Sequence, residues 1–331
     1  MKAFTLEKYG DPEEVLKEIT IDRPKPQKEE VLVKVMTSSI NDFDWSLCSG
    51  TPFAYRTFFG LFKPKAKMRF PGMEVAGVVE EIGPKVEKFQ VGDRVYGDTS
   101  DHAFGSLSEY LAVSEKGLRK FPDEMSFEEA VCFPHASALA MQGLIDLGGI
   151  KEGDKVLING AGGGVGILGV QIAKSYNPSE ITGVDSGIKL ETMKEFGFDK
   201  VIDYQKEDFT QTGEQYDLIL DCRTSRFPRA HLRALKPEGR YVSIGGHSGK
   251  LIVMVLFSGI IRLFSKKKLK MVAVKPNKDL DRIEKLYAEN RLRPLIDGPH
   301  SYQDTPKAIK RFGEAKHTGK VVVIVHSSKD S

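Results

Sequence analysis

Apolar and polar positions change rhythm along this chain. In roughly the first 120 residues they fall in short runs broken by Gly and Pro. Val31 to Ile40 (VLVKVMTSSI) alternates in its first half, as a half-buried strand does. Glu74 to Ile82 (EVAGVVEEI) predicts a second strand, set between the turn signals Pro71-Gly72 and Gly83-Pro84. Gly92-Asp93 opens a third over Arg94 to Tyr96, and Leu107 to Val113 (LSEYLAV) is a fourth. Short strands at this spacing predict a compact, barrel-like β domain.

From Ser126 to about Gly246 strand-like and helix-like segments alternate. Lys155 to Asn159 (KVLIN), Ile181 to Val184, Lys200 to Asp203, Asp217 to Asp221 and Arg240 to Ile244 read as strands. Val165 to Tyr176 is apolar with helical period, and Lys189 to Phe196 reads as a helix stopped by Gly197. Such alternation predicts a parallel sheet covered by helices. The remainder is mixed, with an amphipathic helix around Asp279–Glu289. A final buried-strand pattern, Lys320 to Val325 (KVVVIV), can pair back into the N-terminal domain.

The strand at Lys155 runs straight into a glycine cluster that opens a helix, KVLINGAGGGVGILGVQIAK. Glycines in such a turn let backbone N–H groups approach a pyrophosphate, and the helix N-terminus adds partial positive charge. In the G-x-G-x-x-G frame the positions are Ala161, Gly163 and Gly166, so alanine replaces the first glycine, with Gly160 just before it. Asp185, at the end of the next strand, lies 19 positions after Gly166, close to the interval expected for the acid that meets the adenosine ribose. The alternative is a flexible turn with no ligand. The strand and helix on either side favour a Rossmann-type doubly wound sheet, running roughly from Ser126 to Phe264, that binds a nicotinamide dinucleotide.

Composition narrows the class. The 331 residues carry 49 basic and 46 acidic side chains, a net +3, which gives no reason to expect nucleic acid as a partner. Cys48, Cys132 and Cys222 are an odd and scattered set, a poor disulfide framework that suits a reducing compartment. The N-terminal segment is charged without an apolar core, and no apolar run reaches the ~20 residues of a spanning helix. The expectation is a soluble, cytoplasmic protein.

Taken with Asn41-Asp42-Phe43-Asp44-Trp45, Pro71-Gly72-Met73-Glu74, Gly92-Asp93-Arg94-Val95-Tyr96-Gly97, Ser108-Glu109-Tyr110, Val201-Ile202-Asp203-Tyr204 and Gly319-Lys320, the chain resembles the medium-chain dehydrogenase/reductase superfamily almost end to end. Within that superfamily it looks like the zinc-free quinone oxidoreductase branch. The resemblance implies an α/β fold in which a Rossmann domain, 126–264, is inserted into a β-rich, GroES-like catalytic domain made of 1–125 plus 265–331. A homodimer is the usual state of the family.

Zinc-dependent relatives carry cysteine where this chain has Asn41 and histidine where it has Met73, and neither replacement is a competent zinc ligand. No cluster of four cysteines follows Tyr96 for a structural zinc. The expectation is therefore no metal. Glu74, His102 and His135 are metal-ligand types, but each histidine reads as a surface or hydrogen-bonded residue.

By the same resemblance Asn41 lies near the nicotinamide, either donating to the substrate oxygen or holding the ring; its alternative role is a loop amide satisfying backbone groups. Asp44 is a candidate catalytic residue or a helix cap, and Tyr55 a candidate proton donor or a pocket-wall aromatic. Ala161, Gly162, Gly163, Gly164, Val165 and Gly166 form the phosphate turn, with Gly245 and Lys320 among the cofactor contacts. Asp185 favours NAD, because a carboxylate there repels a 2′-phosphate. Lys189 and Tyr204, with Ser186, match the positions that hold that phosphate in NADPH-dependent relatives. NADPH is favoured and NAD stays open.

Leu251 to Phe264 (LIVMVLFSGIIRLF) is almost wholly apolar and leads into Ser265-Lys266-Lys267-Lys268-Leu269-Lys270. It lines the substrate pocket and bridges two subunits, forms a buried helix, or docks on a membrane surface, in that order. Tyr55 to Arg69 (YRTFFGLFKPKAKMR), mixing aromatics with lysines, keeps peripheral membrane contact open. The function expected is zinc-independent, NAD(P)H-dependent reduction of quinones or α,β-unsaturated carbonyl compounds, a small hydrophobic substrate class. The rivals are a zinc-free alcohol dehydrogenase and a non-catalytic dinucleotide-binding sensor or adaptor.

Overall fold

The computed structural model describes residues 1–326. The chain forms two compact units. One comprises Met1–His135, Pro276–Leu280 and the stretch from Ile296 onward; the other comprises Ala136–Lys275 and Asp281–Leu295.

The second unit is built on a six-stranded sheet in which every neighbour is parallel. Across the sheet the strands run Lys200–Asp203, Glu180–Asp185, Lys155–Asn159, Tyr216–Asp221, Leu235–Ser243 and Lys268–Met271. In order of appearance within the unit this is 3-2-1-4-5-6, the Rossmann arrangement. Helices cover both faces of such a sheet, so its central strands are continuous apolar runs. Val156, Leu157, Ile158, Leu218, Ile219 and Leu220 have no solvent exposure. Each such side chain contributes about 1.5–3 kcal/mol by leaving water. The order reverses between Lys155–Asn159 and Tyr216–Asp221, and at such a switch point the carboxyl ends of the strands leave a crevice for a ligand.

The first unit holds a seven-stranded sheet centred on Glu30–Ser39, which pairs antiparallel with Glu74–Ile82, Tyr110–Ser114 and Lys320–Ile324. The C-terminal strand thus returns to the N-terminal sheet, as its apolar pattern predicts. Helix Thr305–Gly313 lies in the same unit and contributes Ala308 and Ile309 to a core shared with Leu47 and Val321.

The boundaries differ from the 126 and 264 read in the sequence. Ser126 does start a helix: its Oγ accepts the Glu129 N–H at 3.1 Å, while Glu129 Oε2 accepts the Ser126 N–H at 3.0 Å. That capping box opens only the short helix Phe127–Ala130, which belongs to the first unit. At the other end Lys268–Met271 pairs in parallel with Leu235–Ser243 and closes the Rossmann sheet. The apolar segment lies within helix Ser248–Phe264, which exposes Ile252, Val255, Leu256 and Phe257. Among the described residues no helix is long and apolar enough to cross a membrane.

Candidate active site

In the Rossmann unit the chain leaves strand Lys155–Asn159 through Gly160, whose φ of +78° lies in the left-handed region that favours glycine. Gly160 and Ala161 donate their N–H groups to the Val184 carbonyl at 2.9 and 3.1 Å, which ties the turn to the neighbouring strand. Gly163 then starts helix Gly164–Lys174, and no side chain caps that N-terminus. A Cβ on Gly162 would lie 2.6 Å from Lys189 Cδ, and one on Gly166 would lie 2.5 Å from Ala161 Cα. The turn is therefore closed to side chains, while the helix end presents N–H groups without a side-chain partner. Both features fit a dinucleotide pyrophosphate.

Asp185 ends strand Glu180–Asp185 and organises what lies beside the turn. Its Oδ2 accepts the Gly162 N–H at 2.9 Å, and its Oδ1 accepts the Ser186 N–H at 2.8 Å. Lys189 Nζ approaches Oδ1 at 3.2 Å, and both side chains are almost fully buried. Tyr204, roughly half exposed, donates its backbone N–H to the Asp185 carbonyl. The structure therefore brings the glycine turn, Asp185, Ser186, Lys189 and Tyr204 together. Gly245 follows strand Leu235–Ser243, and its carbonyl accepts the Thr224 N–H at 3.0 Å.

In the first unit the centre is Glu74, which opens strand Glu74–Ile82 and has no solvent exposure. Glu74 Oε2 accepts from Ser39 Oγ at 2.6 Å and from Asn41 Nδ2 at 2.8 Å, and Lys320 Nζ lies 2.5 Å away. Glu74 Oε1 accepts the His135 N–H at 2.7 Å. Lys320 Nζ also donates to Asn41 Oδ1 at 2.5 Å. A buried carboxylate needs this degree of compensation. The Asn41 amide is clamped at both ends, between a cation and an anion. Lys320, placed by the sequence among cofactor contacts, spends its ammonium on Glu74 and Asn41. Among the described residues no three His, Cys, Asp or Glu side chains gather as a metal site.

Comparison with known proteins bears on both units. Residues 27–123 match the family described as alcohol dehydrogenase GroES-like domain, and residues 196–323 match that described as zinc-binding dehydrogenase. The chain is 29% identical over 334 residues to the 2-methylene-furan-3-one reductase of Solanum lycopersicum, covering 98% of this chain and 79% of that protein. It is 29% identical over 332 residues to the chloroplastic NADPH-dependent alkenal/one oxidoreductase of Arabidopsis thaliana, with the same coverage. The quinone oxidoreductase of Coxiella burnetii superposes with a TM-score of 0.85 at 25% identity, over 98% of this chain and 99% of that one. These matches support the medium-chain dehydrogenase/reductase superfamily and its quinone oxidoreductase-like branch.

Within this medium-chain fold the remaining predicted residues sort by their contacts. Tyr55 is half buried, edge-on to Phe59, which meets Phe43 edge-on in turn, and Phe43 stacks on Phe104 at 4.3 Å. That is the aromatic-wall alternative; burial, with Asp42 nearby, pushes the Tyr55 phenol up and makes it a poorer acid. His102 is on the surface, as read. Asp44 is wholly buried and takes the helix-terminus role, accepting the Asn41 N–H at 2.8 Å and the Gly72 N–H at 2.7 Å.

Burial pushes the Asp44 carboxyl up to about 6, against the pull of those two N–H donors and the Lys320 charge. An acid whose folded-state value lies above its unfolded one stabilises the fold most below the unfolded value. That advantage fades as pH rises through the folded value. Asp44 is expected to cost the protein up to about 3 kcal/mol between pH 4 and pH 7. Urea unfolding across that window checks this: an Asp44→Asn variant should show a correspondingly smaller decline than the unaltered protein. Equal declines would show that Asp44 does not titrate there.

Proposed function

We propose that the protein reduces quinones or α,β-unsaturated carbonyl compounds with NADPH as reductant and without zinc. The observation that carries the cofactor reading is the Asp185–Lys189 pair beside the glycine turn. A lone carboxylate there repels a 2′-phosphate. Lys189 cancels that charge in place and still has donors to offer, and Ser186 and Tyr204 flank it. The relatives whose names specify NADPH, alkenals and quinones support the same reading.

The turn from Ala161 to Gly166 would hold the pyrophosphate, with Gly245 at the crevice, and the dihydronicotinamide, when bound, supplies a hydride. The protein's part is positioning and electrostatics. Asn41 is held rigid by Glu74 and Lys320, so its role is to present a fixed polar wall rather than a freely turning donor. Zinc independence is supported by the same cluster: the oxygens of Glu74 are engaged by Ser39, Asn41, His135 and Lys320.

The test is oxidation of NADPH or NADH by chelator-treated protein with a panel of quinones and enones. Turnover with NADPH that survives the chelator is expected. An alcohol dehydrogenase would instead reduce the cofactor with alcohols, and a sensor would bind it without turnover; either result sinks the proposal. Lys189→Ala should raise the KM for NADPH at least about 10-fold, a loss of roughly 1.4 kcal/mol, and change that for NADH much less. Equal effects on both cofactors would remove Lys189 from 2′-phosphate recognition.

A further inference from the structure

Hydride addition to an enone leaves a carbanion or enolate that must take up a proton, and none of the donors foreseen from the sequence is placed to give it. The Asn41 amide is engaged at both ends. Both oxygens of Asp44 face backbone N–H groups in a solvent-free site. Tyr55 is an acid weakened by burial. One further group in the first unit has the required form.

His135 is the second residue of helix Pro134–Met141. Its backbone N–H lies on Glu74 Oε1, the oxygen opposite the one that binds Asn41. Its ring Nδ1 lies 2.7 Å from Asp98 Oδ2. Asp98 is fully buried at the end of strand Arg94–Asp98 and is itself fixed. Its Oδ1 accepts the Ser100 N–H at 2.9 Å, its backbone N–H donates to Asn277 Oδ1 at 2.7 Å, and its carbonyl accepts from Asn277 Nδ2 at 2.8 Å. Burial alone would push its carboxyl up, but the hydrogen bonds and charge of His135, with those of Ser100, hold it below the ordinary aspartate value. The carboxylate therefore stays ionised and fixes the imidazole by one nitrogen. The other, Nε2, has no partner among the described residues, and the ring keeps 18% of its surface open. A carboxylate that orients an imidazole and supports its positive charge is the arrangement used for proton transfer in hydrolytic triads.

We propose that His135, oriented by Asp98, is the general acid of this site and delivers a proton from Nε2 to the substrate. This rests on the reductase reading above. The hydride and its electron pair form a C–H bond at the β-carbon, and the alkene π pair moves toward the carbonyl. The Nε2–H bond of the imidazolium then breaks as the α-carbon–H bond forms, leaving a neutral imidazole with its Nδ1–H on Asp98. Solvent restores the proton through the exposed edge. The balance is enone, NADPH and one proton to saturated ketone and NADP⁺. Asp98 is a positioning residue and His135 the catalytic one.

The experiment compares the unaltered protein, His135→Ala and His135→Gln in steady-state reduction of a small enone by NADPH, with cofactor affinity followed by NADPH fluorescence. Both variants are expected to lose about 100-fold in kcat, the low end of what a positioned acid supplies, with NADPH affinity within 3-fold. Added imidazole is expected to restore at least 10-fold in His135→Ala, a response that a purely structural residue would not give. If His135→Ala does not fold, His135→Gln decides by its kcat. A kcat within 3-fold of the unaltered protein overturns the proposal, and so does a loss that imidazole does not relieve or that tracks weakened NADPH binding. If the unaltered protein itself fails to turn over any quinone or enone, the reductase reading fails first, and that outcome is separate from a failure at His135.

Discussion

Replacing Lys320 with methionine is expected to destabilise the protein by about 3–5 kcal/mol, the range seen when one partner of a buried ion pair is removed. Methionine fills much of the volume of the lysine stem, so the loss is mainly electrostatic. It leaves Glu74, which has no solvent exposure, with only neutral donors, from Ser39, Asn41 and His135. It also removes the Lys320 donor from Asn41 Oδ1, so that the amide is then held mainly through Nδ2 on Glu74. Urea unfolding of Lys320→Met, Glu74→Gln and the double variant separates these contributions as a double-mutant cycle. The double variant should be markedly more stable than Lys320→Met alone, because a neutral amide tolerates burial where an unpaired carboxylate does not. A loss below 1 kcal/mol in Lys320→Met, or no recovery in the double variant, would mean that the pair does not carry the charge balance of this site.

The contrast between Glu74 and the glycine turn shows which parts of this protein can be read along the chain. Strand, turn and helix from Lys155 to Lys174 are contiguous, and each leaves a local mark: β-branched residues, glycines, then helical apolar period. Asp185 follows at a spacing set by one helix and one strand, so the cofactor half of the site is legible in the sequence. Around Glu74 the cluster gathers Ser39 with Asn41, then His135 and Lys320, from three other stretches. Antiparallel register joins them: Ser38 stands opposite Val75, and Ser39 opposite Val322. No window of sequence carries that register. The resemblance pointed to Asn41 and Lys320 singly, but it gave no sign that they hold each other. His135 reads along the chain only as a surface or hydrogen-bonded residue for the same reason, since its partner Asp98 is 37 positions away. The limits of the two units are faint in the sequence for a different reason. Lys268–Met271 reads KLKM because an edge strand tolerates polar residues, so its place in the parallel sheet leaves little apolar signal.

Gly166→Ala is expected to weaken NADPH binding by about 10- to 100-fold, roughly 1.4–2.7 kcal/mol, and to cost about 1–3 kcal/mol of stability. Alanine is ordinarily favoured over glycine inside a helix by about 1 kcal/mol, so both effects run against propensity. The reason is the close approach of the helix to the turn. The added methyl would lie 2.5 Å from Ala161 Cα and 2.6 Å from its carbonyl carbon, and these are backbone atoms that cannot rotate away. Nor is the turn free to yield: Gly160 and Ala161 are bonded to the Val184 carbonyl and Gly162 to Asp185. Relief must come from moving the helix N-terminus off the strand end, which displaces the N–H groups proposed to hold the pyrophosphate. Gly169, three residues further along the same helix, is the internal control. A methyl there would lie 3.4 Å from Ile158 Cδ1, an ordinary contact, so Gly169→Ala should bind NADPH within 3-fold of the unaltered protein and unfold no more easily. Fluorescence titration with NADPH and thermal unfolding of the two variants side by side make the comparison. If Gly166→Ala binds as tightly as Gly169→Ala, the turn does not hold the pyrophosphate, and the dinucleotide must be anchored elsewhere in the Rossmann unit.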